Sequence, residues 1–186
     1  VRRKLLEKAL GFYSQMESEA AGSAELARER AYTERSIGDL LAELGRYDEA
    51  RVRHLRAVEL LREARLTDDS FKTRHTLASA LGQLAVQASA AGEGENAEAL
   101  WRESIAILSE EDFSDPQRLR AGTDLVLLRY SLAYAVYARG ETEESLALYE
   151  QATALARRLR ELAPDDADLE LALSGSLSAA AQVLVH

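Results

Sequence analysis

The sequence contains no cysteine and only two prolines, Pro116 and Pro164. Without thiols the chain forms no disulfide and offers no thiolate ligand to a metal, which fits a reducing compartment. We therefore expect a cytoplasmic location. Because proline breaks helices, its scarcity leaves long stretches in which a helix continues uninterrupted.

Positive charge and long apolar runs are also lacking. The chain has 23 Lys and Arg residues against 32 Asp and Glu residues, a formal net charge of −9. Binding to nucleic acid or to an anionic membrane requires a basic face, and no basic run occurs. No apolar stretch approaches the ~20 residues of a membrane span, and the first residues have no signal-peptide pattern. We expect neither nucleic acid nor a membrane as a partner.

What the sequence does contain is typical of helices. Apolar residues make up 47% and charged residues 30% of its 186 residues, as in ordinary globular proteins. Ala, Leu, Glu and Arg, which are strong helix formers, dominate, whereas the β-branched residues that favour strands are few. The composition predicts an all-α protein with the length of one domain or of a short repeat array.

A repeated pattern organises the chain. Three similar stretches occur, ELGRYDEA at 43–50, AAGEGENA at 90–97 and ARGETEES at 138–145, and their glycines are 47 and then 48 residues apart. A small residue precedes each glycine by seven positions, and a second small residue follows it by twelve. In each full copy an aromatic or imidazole ring lies three residues before the second small residue. The first small residues are Gly38, Ala85 and Ala133; the rings are His54, Trp101 and Tyr149; the second small residues are Ala57, Ser104 and Ala152.

This register indicates a stack of helical hairpins, each with a helix A, a tight turn and a helix B. The small residues let the two helices approach closely, and the rings fill the space beside them. The turn glycine ends helix A in the left-handed conformation, acidic residues then suit the positive start of helix B, and Tyr47 is expected to pack into its hairpin. Eight helices are predicted, at about 3–20, 24–44, 47–65, 71–91, 94–110, 116–139, 142–162 and 167–185.

These residues resemble the tetratricopeptide repeat (TPR) family. In residues 31–64, Ile37 and Gly38 stand where that family has Leu-Gly, the turn begins at Gly45, and Ala57 stands at its second small position. The period departs from the family's 34 residues, and Glu34, Leu81 and Arg129 stand where the family has a Trp. The resemblance implies an α-solenoid of antiparallel hairpins, a TPR-like superhelix of about eight helices. Residues 1–186 would form one array: helix B of a truncated repeat (1–22), repeats at 23–66, 67–112 and 113–163, and helix A of a truncated repeat (164–186).

No pattern of catalytic or ligand-binding residues is found. His54 occupies the position of the rings in the other repeats, so we expect it to pack in the hairpin rather than to bind a metal. The sequence has no nucleophile elbow, no phosphate-binding loop and no alternating acidic calcium motif. We therefore expect a non-enzymatic protein with no metal and no cofactor.

The expected binding residues lie on the concave face that the resemblance implies for the A helices. They are Tyr32, Arg35, Asp39, Ser79, Gln83, Val86, Leu127, Tyr130, Tyr134 and Tyr137. Three of them, Tyr130, Tyr134 and Tyr137, share one stripe of their helix. Two interpretations stay open for this stripe: a groove for a partner, or packing against neighbouring helices. The Lys and Asn of the family's variety that grips a C-terminal carboxylate are absent.

The function that the resemblance implies is a non-catalytic scaffold that binds a protein or peptide. The long repeats and the opening at residues 4–13 look like the arrays that follow the catalytic domain in some large bacterial serine/threonine protein kinases. We therefore expect a fragment of a larger protein. The alternatives are a ligand-sensing regulatory domain and a structural spacer that self-associates through exposed terminal helix faces.

Overall fold

The computed structural model describes residue 8 and residues 24–115, 118–164 and 167–185. Seven helices lie in these ranges, and the described residues include no strand, so the all-α prediction is confirmed. The helices are α1 (Ala24–Glu43), α2 (Tyr47–Thr67), α3 (Phe71–Ala90), α4 (Gly94–Ser109), α5 (Leu119–Ala138), α6 (Thr142–Leu162) and α7 (Ala167–Val185). The helix predicted at about 3–20 lies outside the described residues, apart from Lys8.

Three helices end in the same backbone motif at the predicted glycines. Gly45, Gly92 and Gly140 have φ angles of 78°, 80° and 88°, the left-handed region that glycine adopts without a steric penalty. At the first corner Arg46 N–H donates to Leu41 O and Gly45 N–H donates to Ala42 O, both at 2.9 Å. The other two corners repeat this pair of bonds, which satisfies carbonyls that the helix end would otherwise leave open. The prediction of a glycine corner after helix A is confirmed at all three sites.

The helix that follows each corner begins with acidic side chains. Asp48 and Glu49 lie in the first turn of α2, Glu95 in that of α4, and Glu143 and Glu144 in that of α6. No side chain caps these helix starts by a hydrogen bond. The carboxylates suit the positive end of the helix dipole, and Glu49 and Glu144 also pair with Arg46 and Arg102.

Tyr47 does not pack into its hairpin as we expected. It is the first residue of α2, and 71% of its surface is exposed. The buried position of this first turn belongs to Ala50, which joins Ile37 and Leu41 of α1 in one apolar cluster. Position at the helix start, rather than apolar character, therefore decides which of the two side chains is covered.

The chain divides into two compact units, the first ending at Gln87 and the second beginning at Ala88. In the first unit α1 packs along α2, and the buried side chains include Ile37, Leu61 and Leu77. In the second unit α5 packs against α4, α6 and α7. Its fully buried side chains include Leu125, Leu132 and Leu159.

A close approach that the sequence reasoning missed lies between α5 and α6. A Cβ atom added to Gly122 would stand 2.8 Å from Leu159 Cδ1 and 2.9 Å from its Cδ2. Glycine at this position therefore lets the buried Leu159 side chain lie directly on the α5 backbone. Gly122 falls outside the repeated small positions, so the period gave no signal for it.

Two features are absent from the described ranges. None of the helices there is both long enough and apolar enough to span a bilayer. Nor do the described His, Asp and Glu side chains form a group of three that could hold a metal ion.

Candidate interaction surfaces

The predicted pairing of a small residue with a ring is present in the first hairpin. His54 of α2 is 2% exposed and lies against Gly38 of α1. A Cβ on Gly38 would overlap the ring, standing 2.6 Å from its Cδ2 and 2.8 Å from its Cε1. The packing role predicted for His54 is confirmed.

His54 also has polar partners on two other helices, which the sequence reasoning missed. Its Nε2 lies 3.1 Å from Oδ1 of Asp39 on α1, and its Nδ1 lies 2.5 Å from Nε2 of Gln87 on α3. Burial lowers the pKa of His54, but the bonds to Asp39 and Gln87 together outweigh it, so the pKa is raised above its usual value of 6.5. Neither partner stands at a spacing from His54 that one helix would bring together, so the sequence alone offered no signal.

Six of the predicted binding residues lie on α1 and α3 in the first unit, and we call them the α1–α3 surface. Its side chains are Tyr32, Arg35, Asp39, Ser79, Gln83 and Val86. The Arg35 guanidinium stacks over the Tyr32 ring, 5.5 Å from its centre, and its Nη1 donates to Ser79 Oγ at 3.4 Å. Tyr32 and Val86 are each 51% exposed, and Gln83 is exposed as well. This surface combines an oriented guanidinium, that of Arg35, with accessible apolar area.

The other four predicted residues lie on α5 in the second unit, and we call them the α5 surface: Leu127, Tyr130, Tyr134 and Tyr137. Tyr134 is 65% exposed and Leu127 is 47% exposed. Tyr130 is half-buried, and its ring meets the buried ring of Tyr149 edge-on at 5.6 Å between centres. It also lies beside Gly175 of α7, 3.9 Å from where a Cβ would stand. Within the stripe, Tyr130 packs between helices while Tyr134 faces solvent.

Tyr149 of α6 lies behind the α5 surface. It is almost fully buried, and burial together with the neighbouring Tyr130, Tyr134 and Tyr137 raises its pKa to about 12. Its phenol therefore stays neutral at physiological pH, and the ring acts as an apolar support for α5.

The three residues at the position of the family's Trp are accommodated in three different ways. Glu34 is buried and accepts a bond from Arg53 Nη1 at 3.1 Å, whereas Leu81 is buried among apolar groups. Arg129 is half-buried, and burial lowers its pKa. Its Nη2 lies 3.5 Å from Ser109 Oγ, at the end of α4. An ion pair, an aliphatic side chain and a guanidinium beside a hydroxyl thus fill equivalent positions, which explains how the repeats depart from the family pattern and still pack.

Comparisons with known proteins agree with the fold. Residues 128–168, which run from the middle of α5 through α6 to the start of α7, match the tetratricopeptide repeat family. A search of proteins of curated function finds no significant match.

Solved structures match over nearly the whole chain. The structure of BtubC (BKLC) from P. vanneervenii superposes with a TM-score of 0.61 at 15% identity, covering 97% of this chain and 73% of that one. A protein of Podosopora anserina of the kinesin light chain type, with nearly identical TPR-like repeats, gives 0.58 at 17% identity, covering 97% and 90%. A single-substitution variant of that protein gives 0.56 at 17% identity, covering 99% and 87%. The fold class is therefore that of TPR-like α-solenoids, built from helical hairpins.

Proposed function

We propose that this chain is a non-catalytic scaffold that binds a protein or peptide partner. Tetratricopeptide repeats generally mediate protein–protein interaction, and one hairpin here matches that family. Binding is assigned to the A helices, through the α5 surface and the α1–α3 surface. Each surface is treated as a separate contact area within its own unit.

The observation that carries the proposal is the exposure of Tyr134 and Leu127 on α5. On the other sides of this helix Leu125, Leu132 and Val136 are buried, so the helix packs without Tyr134 and Leu127. A Tyr offers a large contact area for little loss of side-chain entropy, and its hydroxyl can bond to the backbone of a partner. Tyr130, held against Tyr149, gives the neighbouring part of the stripe a fixed orientation.

The α1–α3 surface adds a charged contact. Arg35 is fixed between the Tyr32 ring and the Ser79 hydroxyl, so its guanidinium loses less freedom when a partner's acceptor group arrives. Val86 and Tyr32 supply apolar area on the same surface. This arrangement favours a peptide that combines an acceptor group with an apolar side chain.

A peptide-display selection against the full chain tests the proposal. Peptides selected on the wild-type protein are measured against Tyr134→Ser, Leu127→Ala and Arg35→Gln. We expect each variant to weaken at least part of the selected set by about tenfold, the effect of losing ~1.4 kcal/mol at a contact residue. The matched control is Leu162→Ala, because Leu162 is 46% exposed, like Leu127, but lies on α6 outside both surfaces.

If every selected peptide binds these three variants as tightly as the wild type, neither surface is the binding site. Circular dichroism of each variant shows whether it remains folded, so that a loss of helix is not taken for a loss of contact. If Leu162→Ala weakens binding as much as Leu127→Ala, the contact lies elsewhere in the second unit.

Three finer proposals concern the protein's context. Its long period and the residues at 4–13 support a place beside a kinase domain in a larger bacterial protein, which the complete coding sequence tests. The cysteine-free sequence supports a cytoplasmic location, which fractionation tests. Self-association through terminal helix faces is tested by sedimentation: a strict monomer at high concentration contradicts it.

A further inference from the structure

His54 combines burial with the ability to gain a proton near neutral pH, a combination that its counterparts in the register do not have. Trp101 and Tyr149 are also buried rings, but neither gains a proton near neutral pH. His54 is equally buried and can take up a proton in that range. An ionisable ring at a position built for an aromatic packing residue calls for a chemical explanation.

Two side chains, Asp39 and Gln87, bond to the two ring nitrogens of His54. The Asp39 side chain is 46% exposed, and its Oδ1 meets His54 Nε2 at 3.1 Å. Gln87 Nε2 lies 2.5 Å from His54 Nδ1. In neutral His54, Nε2–H therefore donates to Asp39, and Nδ1 accepts from the Gln87 amide.

This neutral arrangement leaves one polar atom unsatisfied. Gln87 Oε1 is buried and has no hydrogen-bond partner among the described residues. A buried carbonyl oxygen without a donor loses its hydration and gains nothing in return, which costs stability. The cluster is therefore incompletely bonded while His54 is neutral.

Protonation reverses the donor and acceptor roles at Nδ1, and the place without a partner passes from Gln87 Oε1 to the amide nitrogen. When Nδ1 gains a proton it becomes a donor, and a half-turn of the Gln87 amide places Oε1 where it accepts that N–H. The Nε2–H bond to Asp39 is kept, and the carboxylate now faces a positive ring. Both nitrogens of the imidazolium are then bonded and the charge is balanced.

We propose that Asp39, His54 and Gln87 form a proton switch in the first unit, in which the Gln87 amide reverses when His54 gains a proton. Among the described residues, the groups that face the ring come from the following helices. From α1 come the Asp39 carboxylate and the backbone of Arg35, whose guanidinium lies on Tyr32; from α3 comes Gln87, which is neutral. On α2 itself, the adjacent Arg53 pairs with Glu34. The raised pKa of His54 agrees with this set of partners.

The switch is independent of the proposed function, because it needs no partner. It has one consequence for the α1–α3 surface, since Asp39 belongs to both. With His54 protonated, the Asp39 carboxylate is neutralised from within, and the surface becomes less negative at that point. With His54 neutral, Asp39 presents a full negative charge.

Long-range ¹H–¹⁵N spectra of the full chain, labelled at histidine, test the switch across pH 5–9. The sequence has three histidines, and His75→Gln together with His54→Phe assigns the signals. We expect neutral His54 to carry its proton on Nε2 and to titrate with a midpoint above 6.5. Asp39→Asn and Gln87→Met should each lower that midpoint, because the first removes the negative charge that faces the charged ring and the second removes the amide that bonds to it.

The matched control is Asp48→Asn, which makes the same charge change at an exposed carboxylate in the same unit. It should leave the midpoint of His54 in place. The proposal is overturned by any of three results: a midpoint at or below 6.5, a neutral ring protonated on Nδ1, or a midpoint that Gln87→Met does not move. Should His54→Phe fail to fold, His75→Gln combined with His186→Gln still leaves the His54 signal alone.

Discussion

Replacing Gly38 by Ala tests the contact between α1 and α2 with the addition of a single methyl group. The new Cβ would overlap the ring of His54, at 2.6 Å from Cδ2 and 2.8 Å from Cε1, well inside van der Waals contact. The ring has little freedom to move, since it is 2% exposed and both its nitrogens are bonded. Either α1 and α2 separate, or His54 leaves its partners.

The expected change in the free energy of unfolding follows from two costs and one gain. Overpacking a buried site costs about 1–3 kcal/mol, and a lost hydrogen bond of His54 costs about 1 kcal/mol more. Ala is a better helix former than Gly, which offsets about 1 kcal/mol. We expect Gly38→Ala to lower the free energy of unfolding by about 2 kcal/mol, or the melting temperature by about 4–8 °C.

Urea unfolding followed by circular dichroism measures this change, with Gly175→Ala as the matched control. Gly175 also lies inside a helix, but its nearest neighbour, Tyr130, is 3.9 Å from the Cβ position. Gly175→Ala should therefore raise stability by about 0.5–1 kcal/mol. The reasoning fails if both substitutions change stability with the same sign, or if Gly38→Ala costs as much in a His54→Ala background as in the wild type.

Two further predictions concern the core and pH. Leu159→Ala should lower the free energy of unfolding by about 2–5 kcal/mol in calorimetry, because Leu159 is fully buried against Gly122. The control Leu162→Ala removes a side chain that is 46% exposed and should lower it by under about 1 kcal/mol. Equal losses would contradict the packing described. Since folding raises the pKa of His54 above 6.5, the bound proton stabilises the folded chain. The free energy of unfolding of the wild type relative to His54→Phe should therefore be greatest below pH 6.5 and fall as pH rises through the folded-state pKa. A difference that grows with pH would contradict the direction of this pKa shift.

The elements of the fold could be predicted because their signals are local. Gly45, Gly92 and Gly140 end helices for a reason contained in the backbone of a few residues, and the observed helix bounds differ from the predicted ones by no more than three residues. The register of small residues also predicted the buried position of His54, since a ring beside a small residue describes a contact between two helices. The division of 1–186 into repeats stays a prediction.

The polar contacts could not be predicted, because they join residues far apart in the sequence. Asp39 and His54 are on different helices, and Gln87 is on a third, so no spacing rule connects them. Tyr47 was wrongly placed because an apolar ring at a helix start was taken for a buried one. Whether the ten predicted residues bind a partner also stays a prediction, since exposure shows where contact is allowed and not where it occurs.

The backbone at the three corner glycines restricts the chirality of the residue there but not the size of its side chain. Nothing lies within 4 Å of the place where a side chain would begin at Gly45, Gly92 or Gly140, so no neighbour there limits size. A D-amino acid prefers the backbone angles that these corners adopt. A chemically synthesised chain with D-alanine at the three corners would keep every turn while its unfolded state lost the freedom of three glycines. At these points the protein could be improved by a building block that the ribosome does not use.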